Sequence, residues 1–425
     1  MIAQSPAAGR KAHACGRRER ALVLPAIGLI ALHVVDDSFV QPQPGTSAAD
    51  HLVSGLVPLA VLALAAGAYP RLRAGWRAAM ALVLGLFGLA TASEAWYYAR
   101  EVGASGDDYT GLVAIPAGLA LLAVGMVTLW RSRRLDDRMP WRYTRRTLIG
   151  VAGLIVSIVF VYPLVTSYGQ THIGRAVVPD PELGANFEDV SFTTDDGLEL
   201  HGWYVPSKNR AAVIAFPGRK GPQRQTRMLV RHGYGVLLFD RRGEGDSEGD
   251  PNAVGWNGDR DIKAAIAVLR ERRDVDPDRI GGIGLSVGGE LMLETAAETE
   301  ALQAVVSEGA GIRSMREAAE SPWEAKWLAA PVWGGITAAT AVFSNNVPPP
   351  NLNDVVERIA PRPVFFIYSA NGQGGEDLSQ DFYESAGEPK DVWKVPEGGH
   401  VGGAEARPRE YERRVIAFFD EALLK

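Results

Sequence analysis

Five apolar runs follow one another in the first 170 positions: Ala21–Val40, Leu52–Tyr69, Ala78–Tyr98, Gly111–Trp130 and Leu148–Tyr168. A helix needs about 20 such residues to cross the ~30 Å hydrocarbon core, and backbone groups left unpaired there are not tolerated. The runs therefore predict an α-helical transmembrane bundle of about five spans over residues 1–168. Ala21–Val40 is the weakest, because Asp36 and Asp37 leave only Ala21–Val35 free of acidic groups. Its basic flank and the small residues at Ser47-Ala48-Ala49 also fit a cleaved signal peptide. The other four runs would anchor the chain in either case.

Loop charges give a direction. The tail carries Arg10, Lys11, Arg17, Arg18 and Arg20, and the loop after the second run carries Arg71, Arg73 and Arg77. The loop after the fourth holds Arg131, Arg133, Arg134, Arg138, Arg142, Arg145 and Arg146. Residues 41–51 have no Lys or Arg, and only Arg100 lies near the loop after the third run. Basic loops stay in the cytoplasm, so the N-terminus is expected there and everything beyond about residue 170 outside it. Tyr97, Tyr98, Trp130 and Trp141 fall at run ends, as interfacial aromatics do. His33 and Glu94 lie close to run ends and are expected to be wetted interfacial groups.

Charge divides the chain in two. Residues 1–170 hold 16 Lys/Arg against 10 Asp/Glu, and the remainder 28 against 40, a split of +6 and −12. The acidic half argues against a nucleic-acid partner. Cys15 is the only cysteine, so no disulfide forms within the chain. No metal-ligand cluster or cofactor fingerprint is present, and no cofactor is expected.

After a linker at 169–185 punctuated by Pro and Gly, short apolar runs alternate with helical patterns. Strands are expected at Phe187–Phe192, Leu198–Val205, Ala211–Phe216, Gly235–Asp240, Ile280–Leu285, Ala304–Ser307, Val364–Ser369 and Val392–Val395. Asp259–Arg272 has its apolar residues at helical spacing. Alternation of this kind means a mostly parallel sheet with helices on both faces.

Within that half, Gly284-Leu285-Ser286-Val287-Gly288 joins an apolar run to the helix former Glu290-Leu-Met-Leu-Glu-Thr-Ala-Ala. This is the pattern of a nucleophile elbow, a sharp turn that exposes a serine between strand and helix. Gly284 and Gly288 stand where side chains would collide with the crossing backbone. The helix that follows points its N-terminus at the serine and favours developing negative charge.

Residues 186–425 resemble an α/β-hydrolase domain. Asp240-Arg241-Arg242-Gly243-Glu244-Gly245-Asp246-Ser247 is similar to a turn of that family, with Asp240 and Arg242 in structural roles. The resemblance implies the order nucleophile, acid, histidine. Ser286 is then the nucleophile and His400, in a Gly-rich loop after the last strand, the base. The acid should follow Val364–Ser369, where the family usually has Gly-x-x-Asp. Here Glu376 is the first carboxylate and Asp377 the alternative. The oxyanion hole would take one N–H from Val287 and a second from Arg219, or alternatively Gly218, in Pro217-Gly218-Arg219-Lys220-Gly221. An insertion at about 310–352, carrying Trp323, Trp327, Trp333 and Phe343, occupies the place of a cap.

The expected protein is a membrane-anchored serine hydrolase acting on an ester, thioester or amide through an acyl-enzyme. Its partners would be a small or lipid-like acyl substrate and the bilayer. The same residues also suit an acyltransferase. A third possibility is a non-catalytic binding or sensory protein that keeps the fold as a scaffold.

Overall fold

The computed structural model describes residues 6–132, 139–176, 181–216, 222–321 and 326–425. The chain divides into two compact units. The first comprises Met1–Gln43, Ser47–Gly174 and Ala338–Asn345; the second comprises Pro44–Thr46, Arg175–Thr337 and Asn346–Lys425.

In the second unit the alternating pattern produces eight strands: β1 (Glu188–Thr193), β2 (Glu199–Val205), β3 (Ala212–Phe216), β4 (Gly235–Phe239), β5 (Ile280–Leu285), β6 (Ala304–Glu308), β7 (Val364–Ser369) and β8 (Lys390–Val395). They form one sheet in the order β1-β2-β4-β3-β5-β6-β7-β8. β2 runs antiparallel to both its neighbours, and every later pairing is parallel. The order reverses around β3, so the strands from β5 onward grow away from it in sequence and bring their C-terminal ends to one edge. That edge is where α/β sheets carry their sites.

Alternation along β3 shows how the sheet is covered. Ala212, Ile214 and Phe216 enter one apolar cluster with helices Gly258–Arg270 and Val287–Glu298. Val213 and Ala215 enter the other with Gln223–Arg231 and Pro408–Leu423. All five are fully buried, so each successive side chain serves an opposite face. This is an α/β-hydrolase fold. Arg242 sits at the expected turn and is structural in its contacts: Nε donates to Asp261 at 2.8 Å and Nη1 to Asp196 at 2.9 Å.

The first unit is helical. Its long segments include Pro6–Val35, Leu52–Ala68, Ala74–Thr91, Asp108–Ser132 and Met139–Val156, the last continuing through Tyr162–Thr171. Ala74–Thr91 and Asp108–Ser132 approach backbone to backbone. A Cβ on Gly85 would lie 2.8 Å from the Gly118 carbonyl, and one on Gly118 2.9 Å from that of Gly85. Glycine at both positions is what lets the two backbones come this close.

The run expected as one span at Ala78–Tyr98 lies within one apolar helical segment, Ala74–Glu101, interrupted only by a turn at Ala92. His33 is not wetted. It is 4% exposed, and its ring nitrogens meet the Thr91 carbonyl at 2.9 Å and Thr110 Oγ1 at 3.2 Å. Local chain position placed it near an interface, but packing of three helices closes over it.

Among the described residues six helices are long and apolar enough to cross a membrane, one more than the five runs. The sixth, Lys326–Ser344, lies in the insertion between β6 and β7. Arg133, Arg134 and Arg138 of the most basic loop, and Trp323 of the insertion, lie outside the described residues.

Candidate active site

β5 delivers Ser286 at the C-terminal edge of the sheet, and the helix Val287–Glu298 leaves from it. Ser286 has φ +54° and ψ −126°, a region costly for any residue with a side chain. A Cβ at Gly284 would strike the Gly288 carbonyl, so the tight crossing excludes one. The strained serine is held by its own N–H, which donates to the Glu308 carbonyl at 2.8 Å.

Ser286 Oγ lies 2.7 Å from Nε2 of His400, which stands on the loop after β8. Nδ1 of His400 donates to Glu376 Oε1. Glu376 follows β7 and is 1% exposed. Its carboxylate is fixed by two further donors: Val401 N–H to Oε1 at 3.1 Å and Ser369 N–H to Oε2 at 2.9 Å. Gly374 and Gly375 both have positive φ, +72° and +89°, and this double left-handed step turns Glu376 inward. Asp377, one residue on, is exposed. The structure therefore brings together Ser286, His400 and Glu376, and leaves Asp377 aside.

The hydrogen bond that His400 donates to Glu376 raises the His400 pKa above the ordinary imidazole value. Burial opposes the shift, and the charges of Glu376, Glu290 and Glu308 add to it. A histidine so held has one tautomer, with Nε2 free to accept the serine proton.

Val287 is the first residue of its helix, so its N–H has no intrahelical partner and opens beside Ser286. Arg219 and Gly218, expected to supply the second oxyanion donor, lie outside the described residues, as does all of 217–221. His201 and His232 are engaged elsewhere, with Ser191 and Glu412.

Two buried carboxylates beside the triad were not anticipated. Glu308, at the end of β6, accepts Gly403 N–H at 2.9 Å and the Tyr411 hydroxyl at 2.6 Å. It thus ties the loop behind His400 to the residue whose carbonyl holds Ser286. Glu290, in the elbow helix, accepts Gly311 N–H at 3.1 Å. Burial is the main cause that pushes both pKa values up to about 7. An acid at the C-terminal end of a central strand was a visible signal for Glu308. Glu290 reads in sequence as an ordinary surface helix residue.

The insertion after β6 is anchored on the elbow helix. Arg313, buried, pairs with Glu294 at 2.6 Å and donates to the Pro350 carbonyl at 2.5 Å. Trp327 is 82% exposed. Phe343, counted with the first unit, meets Tyr168 edge-on at 5.3 Å.

A family model, curated proteins and solved structures are similar to parts of this chain. The family model described as "X-Pro dipeptidyl-peptidase (S15 family)" matches residues 181–360. The uncharacterized protein YfhR of Salmonella typhi is 28% identical over 310 residues, covering 67% of this chain and 99% of that protein. A polyketide transferase, grgF of a Penicillium species, is 33% identical over 127 residues, 28% of this chain and 43% of its own. Among solved structures, an esterase of Pyrococcus furiosus matches with a TM-score of 0.47 and 24% identity, covering 59% of this chain and 99% of that one.

Proposed function

We propose that the second unit is a serine hydrolase cleaving an ester, thioester or amide through an acyl-enzyme. The observation that carries this reading is the continuous chain from Ser286 Oγ through His400 to the solvent-free carboxylate of Glu376. Ser286 Oγ attacks the acyl carbon while Nε2 of His400 takes its proton. The imidazolium, stabilised by Glu376, then returns that proton to the leaving group. The tetrahedral oxyanion is met by the Val287 N–H and by a second donor from Arg219 or Gly218. Water repeats the sequence to release the acid. A fluorophosphonate probe should label the wild type and fail to label Ser286→Ala; equal labelling of the two would end this reading.

Acyl transfer by the same residues is the second reading, and the partial match to a polyketide transferase supports it. It predicts that an alcohol or amine acceptor partitions the acyl-enzyme away from hydrolysis at concentrations far below that of water.

The first unit is proposed as a five-span anchor. Helix Met139–Val156 supports it most directly: Leu148, Ile149, Val151, Leu154 and Ile155 are each at least 50% exposed. So continuous an apolar surface suits hydrocarbon rather than water. The sixth apolar helix, Lys326–Ser344, is not counted as a crossing. It lies between β6 and β7, which pair directly from Val305↔Val364 to Glu308↔Ile367. One crossing between them would leave paired strands on opposite sides of the bilayer. With five crossings and the basic loops inside, the hydrolase unit lies outside the cytoplasm.

A further inference from the structure

We infer that Glu308 is a positioning residue of the reaction, holding the nucleophile with its main chain and the base with its side chain. This rests on the hydrolase reading above and adds to it a residue that touches no reacting atom. Both groups it holds sit on strained backbone. Ser286 has φ +54°, and Val401, directly after His400, has φ +48°. Left-handed backbone is uncommon for residues with side chains, and for a β-branched one it is an outlier. Such conformations persist only where the surroundings over-determine them. Glu308 contributes to both.

Its backbone oxygen accepts the Ser286 N–H at 2.8 Å. Its carboxylate Oε1 accepts the Gly403 N–H at 2.9 Å, at the far end of the histidine loop. The approach is tight, since a Cβ on Gly403 would lie 2.8 Å from that oxygen. Gly309, the residue after Glu308, has φ +74°, and a Cβ there would lie 2.7 Å from Val401 Cγ1. The end of β6 is therefore pressed against the histidine loop. Glu376 grips the start of that loop, at His400 Nδ1 and the Val401 N–H, and Glu308 grips its end. Removing either leaves one end of a strained loop free to relax.

The carboxylate is itself held. The Tyr411 hydroxyl donates to Oε2 at 2.6 Å. Tyr411 belongs to helix Pro408–Leu423, which shares an apolar cluster with β3, β5 and β6. Base and nucleophile are thereby set against one frame. Ser286 Oγ and His400 Nε2 are 2.7 Å apart, and a misplacement of about 1 Å costs on the order of 10²-fold in rate.

A merely structural carboxylate would cost stability and leave turnover alone, so the test pairs two tyrosines. Tyr411→Phe takes a donor from Glu308. Tyr234→Phe takes an equally buried hydroxyl, 2.7 Å from Asp420 of the same helix, at the end of β4 opposite the site. The full chain in detergent is measured for kcat and KM on p-nitrophenyl butyrate, for the rate of fluorophosphonate labelling and for Tm. Tyr411→Phe should lose about 10–100-fold in kcat and labelling rate, with KM within about twofold. Tyr234→Phe should lose a similar amount of Tm and keep wild-type turnover.

A second pair keeps the test sound if Tyr411→Phe does not fold. Glu308→Gln keeps an oxygen for Gly403, and the Tyr411 hydroxyl can turn to accept from its amide. Glu308→Leu has neither, and should show about tenfold lower kcat than Glu308→Gln. Equal turnover in the two tyrosine variants, or equal turnover of Glu308→Gln and Glu308→Leu, would overturn the inference. Either result beside a wild type that labels removes this role alone. A wild type that does not label removes the hydrolase reading, and this role with it.

Discussion

Glu376 accepts the Nδ1 hydrogen of His400 through a carboxylate that almost no solvent reaches. Backbone donors from Val401 and Ser369 hold both its oxygens in place. An acid in this position keeps the imidazole in its working tautomer and stabilises its cation. Glu376→Gln should therefore lose on the order of 10³–10⁴ in kcat, with little change in acyl-chain preference. Asp377→Asn, on an exposed side chain, should lose less than about tenfold. Both are to be measured on one ester under one set of conditions. A crippled Asp377→Asn beside a healthy Glu376→Gln would reverse the assignment.

The same hydrogen bond sets a pH dependence. The pKa of His400 is raised, so the protonated ring, which cannot act as base, persists to higher pH than free imidazole would. Activity should then fall with acid around a midpoint above the ~6.5 of an unperturbed histidine. In Glu376→Gln the largest cause of the shift is gone, and the midpoint of the residual activity should move down. Profiles of kcat/KM against pH for the two proteins check this. Superimposable acid limbs would mean that another group controls the rate.

Much of this site could be read along the chain because each piece is announced locally. Ser286 lies between two glycines at elbow spacing, and His400 follows the last apolar run. The strand starts and ends came within two residues everywhere, since buried parallel strands are short apolar runs bounded by turn residues. The acid was harder: Glu376 and Asp377 are adjacent, and only the left-handed Gly374-Gly375 step decides which faces inward. His33 and Glu290 were not legible as buried groups, and Glu308 was marked only by its place at the end of a central strand. Their burial comes from segments far away in sequence, such as the Thr110 region for His33 and Tyr411 for Glu308. Nor does hydropathy distinguish Lys326–Ser344 from the other five apolar helices; the proposal that it does not cross rests on the pairing of β6 with β7.

Glu290 and Glu308 should make stability fall as pH rises. Their folded pKa values are pushed up to about 7 from 4.5, so the folded chain binds protons that the unfolded chain has already released. Unfolding is then favoured as pH climbs from 4.5 through about 7, by on the order of 1–3 kcal/mol for each carboxylate. Glutamine at both positions keeps an acceptor for Gly311 and Gly403 but has no proton to lose. Thermal unfolding of the detergent-solubilised chain from pH 5 to 8 should show a shallower loss of Tm in Glu290→Gln/Glu308→Gln than in wild type. Parallel slopes would mean that these carboxylates stay ionised in the fold.

The arrangement of the proposed anchor has its own test. The tail, Arg71–Arg77 and Arg131–Arg146 alternate with loops poor in positive charge, and each crossing moves the chain to the other side. Five crossings bring Lys425 outside the cytoplasm. A sixth within Lys326–Ser344 would return it, but only by separating β6 from β7, whose register is continuous from Val305 to Glu308. Alkaline phosphatase fused after Lys425 should accordingly be active, and an ordinary fluorescent protein at the same place should stay dark. Fusions within Arg71–Arg77 should behave in the opposite way. A bright fluorescent fusion at Lys425 would require an even number of crossings. The segment to lose would be Ala21–Val40, because Asp36 and Asp37 fall where the first helix gives way to a wider turn after Val35 and leave the shortest acid-free stretch of the five.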